Sequence, residues 1–145
     1  MNTTSTVISQ LMNNLRECVV MLNTRPCVLN RDMMEVIFKS VFDTEHQVVH
    51  HNLFEQHGRM FPHHAETMRQ QMEDTLWELV DELNRCAMPS LTVEQMLQGG
   101  NNEIASLREL TMNKIHFVID EINADPSEWS SRMDMGKRRK TRRRR

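Results

Sequence analysis

No part of this chain restricts its fold as tightly as the stretch from Pro62 to Cys86, PHHAETMRQQMEDTLWELVDELNRC, which has no glycine and no second proline. Proline suits the first position of a helix, where an N–H would have no partner, and the next proline comes only at Pro89. Met68, Met72, Leu76, Leu79, Val80 and Leu83 recur three and four residues apart and so line one stripe of a helix. Glu66, Arg69, Glu73, Asp74, Glu78, Asp81, Glu82 and Arg85 take the other faces. At about 1.5 Å per residue the helix is a rod of roughly 35–40 Å. A compact chain of 145 residues has a radius of gyration of about 15 Å. The rod spans the molecule. Its stripe is expected either to need a partner outside its own chain or to serve as the core of a monomeric bundle.

The rest of the sequence also favours helices. Glycine and proline number four each, tyrosine is absent, and little of the chain alternates apolar with polar residues. An all-helical protein is the expectation. Hydrophobic residues make up 39%, enough for the core of one domain. Thirteen methionines keep the apolar surfaces adaptable, a property of cores and of partner-binding grooves alike. No run of about 18 apolar residues occurs, so no membrane span is expected, and MNTTSTVISQ lacks the basic start and apolar centre of a signal peptide. Cys18, Cys27 and Cys86 are odd in number and widely spaced, which fits reduced intracellular thiols better than a disulfide framework.

In chain order, a first helix is expected from about Thr4 to Leu22, with Ile8, Leu11, Leu15, Val19 and Leu22 as its stripe. The spacing of Leu11, Leu15, Val19 and Leu22 also fits the loose pattern of a nuclear export signal. Pro26 centres a break, and Asn30 suits the N-cap of a second helix running from about Arg31 toward Gln56. Met34, Ile37, Phe38, Val41, Val48 and Val49 should face inward. Gly58 and Pro62 bound a short loop before the long helix. Leu91 to Leu97 reads as a short helical piece starting at Thr92. Gly99-Gly100 is the strongest breaker, and Asn101 and Asn102 can cap a last helix ending near Ala124. Its recurring apolar residues are Ile104, Leu107, Ile115, Val118, Ile119 and Ile122.

Chemistry is sparse. His46 and His50 are four apart, as are His51 and Glu55, and His116 and Asp120 repeat the spacing. Such pairs suit a metal ion, but a metal bundle needs ligands converging from several helices. His50 and His51 point apart on a helix, and no second histidine supports His116. No metal, no cofactor and no enzymatic activity are expected, since no nucleophile–base pairing, phosphate-cradling loop or paired-cysteine zinc motif is present.

The end of the chain says more. Residues 137–145, KRRKTRRRR, hold eight of the 18 basic residues and no acid. Residues 1–136 therefore carry 10 basic against 20 acidic residues, a net of −10. The sequence divides into a helical body, 1–136, and a flexible tail whose Lys137, Arg138, Arg139, Lys140, Arg142, Arg143, Arg144 and Arg145 bind phosphates without reading sequence. With no interleaved aromatic, the tail offers no base stacking. KRRK at 137–140 also satisfies the simple pattern of a nuclear import signal.

The stretch from Val41 to Leu79 resembles hepadnavirus core (capsid) proteins and their non-enveloped, nackednavirus-like fish-virus relatives. The resemblance rests on Phe42-Asp43-Thr44, on Pro62-His63-His64 opening a long helix, on Arg69-Gln70 and on Trp77-Glu78-Leu79. Leu107-Arg108-Glu109-Leu110, Val118-Ile119-Asp120, Trp129 and Arg132 echo the last helices, and the Arg-rich end sits where that family keeps its nucleic-acid tail. In all it covers about residues 15–145. The part between Trp77 and Val118 is shorter than in mammalian members, and a proline-rich arm after Trp129 is absent. No cysteine precedes Trp77, so an intradimer disulfide is not carried over, nor is Cys86 assumed to replace it.

The resemblance implies a hairpin of the long helix and its return, two of which form a four-helix bundle at a dimer axis. Met68, Met72, Leu76, Leu79, Val80 and Leu83 would be the seam, and Trp129 and Arg132 would contact neighbouring dimers. It implies a capsid subunit that forms homodimers, closes into an icosahedral shell and packages RNA through a disordered tail. The virion and the host cytoplasm and nucleus would be its locations, with a nuclear import receptor as a further partner. Without assembly, the same features would suit a nuclear shuttling or chromatin-associated helical regulator.

Overall fold

The computed structural model describes residues 3–90, 92–97 and 100–124, and within them the chain is all-α. Helix α1 runs Thr3–Leu22, α2 Arg31–Glu45, α3 Leu53–Met60, α4 Pro62–Arg85, α5 Val93–Leu97 and α6 Gly100–Ile122, with a π-helical turn at His46–His50. Local chemistry explains several boundaries. Asn30 caps α2, its side chain accepting from the Met33 N–H at 2.8 Å, and Pro62 opens α4 at its first turn.

Three boundaries differ from expectation. The helix predicted from Arg31 toward Gln56 stops at Glu45, widens into the π turn and then breaks at Asn52, whose φ of 51° is left-handed. Asparagine is among the few residues that tolerate that conformation, so no glycine is needed for the break. Gly58, expected in a loop, lies inside α3, and Phe61 alone separates α3 from α4. Asn101 and Asn102 lie within α6 rather than before it.

Four helices close a ring around one core: α1 packs on α4, α4 on α6, α6 on α2 and α2 on α1. Helices α4 and α6 are antiparallel, for Trp77 meets His116 and Arg108 donates to the Leu83 carbonyl. Helix α1 runs parallel to α4, with Thr4 near His57 at one end and Leu22 beside Cys86 at the other. Helix α2 runs parallel to α6, with Arg31 bonded to Glu103 and Glu45 to Lys114.

This ring corrects the reading of the long stripe. Met72, Leu76, Leu79 and Leu83 are wholly inaccessible and Val80 nearly so, with Met68 half-buried. Their partners are Ile8, Met12, Leu15 and Leu22 of α1 and Ile115, Val118, Ile119 and Ile122 of α6, within one chain. Five of the six residues named as a dimer seam, all but the half-buried Met68, lie in the core of the single molecule. The export-like stripe meets the same fate, with Leu11, Leu15 and Leu22 buried.

The cysteine expectation is corrected as well. Cys27 and Cys86 form a disulfide, with Cα atoms 4.9 Å apart. A parallel bridge between Val28 and Ala87 brings the two segments together, with Leu29 donating to the Ala87 carbonyl at 2.8 Å and Ala87 to the Cys27 carbonyl at 2.9 Å. Sequence spacing could not reveal that pairing, because the cysteines are 59 residues apart. Closing a loop of that length removes roughly 4 kcal/mol of unfolded-chain freedom. Cys18 stays a free, buried thiol, its pKa raised by burial, against which Ser40 acts as hydrogen-bond partner.

Candidate functional site

Where the core takes the apolar stripe of α4, the outer faces of α2 and α6 retain apolar groups in the open. Phe42 is 47% exposed, Leu110 47% and Phe117 42%. Phe38 and Leu107 lie half-buried beside them. The rings of Phe38, Phe42 and His46 follow each other up α2 in stacked pairs, 6.2 and 6.4 Å between centroids. From α6, Lys114 reaches over them, its Nζ 5.9 Å from the Phe38 ring and 5.6 Å from that of Phe42. A groove of about 430 Å³ runs alongside, lined by Arg31, Glu35, Phe38, Glu103, Leu107 and Leu110 among others.

The charges bordering this face are already paired. Arg31 bonds Glu35 at 3.1 Å and Glu103 at 2.9 Å, Lys39 bonds Asp43 at 3.0 Å, and Lys114 bonds Glu45 at 2.7 Å. Three cations thus stand against four carboxylates. On α4, by contrast, the sequence supplies six carboxylates and two guanidiniums. The face is apolar and nearly neutral on a body that is neither.

The histidines make two separate arrangements. The π turn aligns residues five apart, so His51 comes closest to His46, with Nε2 atoms 3.1 Å and ring centroids 4.5 Å apart, while the His50 ring lies 6.1 Å from that of His46. Deeper in, His57 is almost inaccessible. Its Nδ1 lies 2.8 Å from the Thr4 hydroxyl and its Nε2 2.7 Å from His64 Nδ1. A neutral ring satisfies both contacts, with the hydroxyl donating to Nδ1 and Nε2–H donating to His64. Burial, and then the neighbouring His64, lower the His57 pKa below its ordinary 6.5. His116 packs edge-on against Trp77. Among the described residues no three His, Cys, Asp or Glu side chains converge as a metal site.

No protein-family model, no curated protein and no solved structure matches this chain.

Trp129, Arg132 and the eight cations of 137–145 lie outside the described residues. The Phe42–Leu110–Phe117 face was missed from the sequence, although a signal existed. Leu110 and Phe117 are seven apart and fall on the side of the last helix opposite Ile115, Val118 and Ile122. A helix with two apolar faces has more than one neighbour to satisfy.

Proposed function

We propose that this chain is a capsid subunit of the hepadnavirus core type, which self-assembles into an icosahedral shell and packages RNA through residues 137–145. The observation that carries the reading is the partition of charge: eight cations and no acid in nine terminal residues, and a net of −10 before them. A folded nucleic-acid reader places its positive charge on its fold. Here residues 1–136 are acidic in balance, as suits a wall that excludes RNA, and the one stretch of concentrated positive charge, 137–145, would face inward. The resemblance from Val41 to Leu79 agrees, and so does a long helix opened by Pro62-His63-His64 and returned antiparallel by α6. Trp129 and Arg132 would make contacts between dimers, Trp129 as an aromatic anchor. KRRK at 137–140 would engage a nuclear import receptor.

Electron microscopy of the purified chain tests this directly. Closed particles with a high ratio of absorbance at 260 to 280 nm are expected. Truncation after Gly136 should leave particles nearly free of RNA, because it removes the concentrated positive charge and no described residue. A chain that forms no particles under any salt condition would overturn the reading in favour of a non-assembling nuclear regulator. Truncated particles that keep their RNA would place the binding surface on the body.

A further inference from the structure

The geometry points to a surface site for a divalent transition cation, held by His46 and His51 across the π turn and tightest for copper(II).

The turn builds the site. In an α-helix residues four apart share a face, and His50 would stand over His46. Here the extra residue per turn is closed by the bond from the His51 N–H to the His46 carbonyl, which carries the His51 ring to the His46 ring. Single π turns of this kind occur often at functional sites. Both side chains are exposed, so an ion reaches them without any opening of the fold. The Phe42 ring flanks that of His46, 7° from parallel.

Two distances separate a shared ion from a simple hydrogen bond. The Nε2 atoms are 3.1 Å apart. With each about 2.05 Å from a cation they would subtend about 98° at it, between the right angle of copper or nickel and the tetrahedral angle of zinc. The ring centroids are 4.5 Å apart, with planes 77° from parallel. A straight N–H···N bond would hold the centroids roughly 5.4 Å apart, both nitrogens lying on the line between the ring centres. At least one ring is therefore turned off that line, as ligands sharing an ion must be.

Chemistry selects the ion. Imidazole nitrogen suits copper, nickel and zinc and leaves magnesium and calcium to oxygen ligands, and of the three copper binds tightest. The carboxylates just before His46 are engaged elsewhere, Asp43 with Lys39 and Glu45 with Lys114. Among the described residues no third His, Cys, Asp or Glu joins the pair. The site therefore has two protein ligands and gives its other positions to water. It is an exchangeable site that braces the junction of α2 and α3, unlike a closed structural centre with four protein ligands.

Copper(II) titration of the full, nuclease-treated chain, followed by calorimetry and pulsed electron paramagnetic resonance, tests the site. The tightest copper should carry two imidazole ligands. His46→Gln and His51→Gln should each weaken it by about tenfold or more, since even the loss of outer-shell partners costs about 10–100-fold. His50→Gln should leave it unchanged. The helical circular dichroism of all three variants should match the parent, because these side chains are exposed. A second measurement uses the parent alone: copper below one equivalent should broaden the ring proton signals of His46 and His51 before those of His57, His64 and His116. A loss in His50→Gln equal to that in His46→Gln would restore the four-residue pair and overturn the π-turn site. Copper held undiminished by either His46→Gln or His51→Gln, or broadening that begins at His57 and His64, would place the ion elsewhere and overturn it too. So would a parent that takes up no copper.

Discussion

At the scale of single residues, His57 is the most informative. It joins three helices, hydrogen-bonded to Thr4 on α1 and to His64 on α4 from its own place on α3. Arg59, two residues on, adds positive charge nearby, and Glu55 is the nearest negative charge on the same helix. A proton on His57 would be held against burial and against His64. The folded state thus binds that proton less readily than the unfolded chain, whose histidine titrates at its ordinary 6.5. Stability from this group is fully present above that value and is lost as pH falls through the depressed one. The urea midpoint of the parent should fall between neutral and mildly acidic buffer. In His57→Gln, which keeps polar contacts without a titrating ring, the fall should be smaller. An equal fall in both would assign the pH response to other histidines.

At the scale of elements, the long helix carries the clearest consequence. Leu79 is wholly inaccessible between α1 and α6, so Leu79→Ala should cost about 2–5 kcal/mol. The loss should be the same at low and high protein concentration when measured by urea unfolding. A loss that grows on dilution would return the stripe to a seam between subunits. Sequence made α4 legible because proline, periodicity and the absence of breakers all agreed from Pro62 to Arg85. The Asn30 cap and the inward residues Met34, Ile37 and Val41 were legible for the same local reasons. What the stripe packs against was not legible, because periodicity says that a face is buried and never by what. The π turn at His46–His50 escaped too. Its residues look helical, and the extra residue per turn becomes apparent only through the bond from the His51 N–H to the His46 carbonyl. The Phe42 and Leu110 face needed the parallel alignment of α2 and α6, a fact about residues some 70 apart.

At the scale of the whole molecule, an acidic body and a basic end should respond to salt in opposite directions. Screening shortens the reach of charge from about 10 Å at 0.1 M to about 3 Å at 1 M. Repulsion between bodies of −10 then weakens, and association through apolar faces becomes easier. On the proposed reading, binding of the eight cations of 137–145 to single-stranded RNA should weaken instead, by a log–log slope of about −0.7 per phosphate neutralised. Light scattering and RNA filter binding across one salt series should cross, with particle formation rising as RNA affinity falls. Parallel trends in the two measurements would mean that RNA, rather than apolar contact, drives association.

The parallel pairing of α1 with α4 and of α2 with α6 has a consequence during synthesis. Thr4 bonds His57, and Arg31 bonds a residue 72 positions later. Helix α1 is therefore made well before the helix that covers its stripe. At about 5–20 residues per second, roughly 60 residues take some 3–12 s. For that interval Ile8, Met12 and Leu15 stand uncovered outside the ribosome, and α2 awaits α6 for longer still. Ribosome-associated chaperones that hold short apolar stretches would meet α1 before α4, and release it only when α4 has emerged.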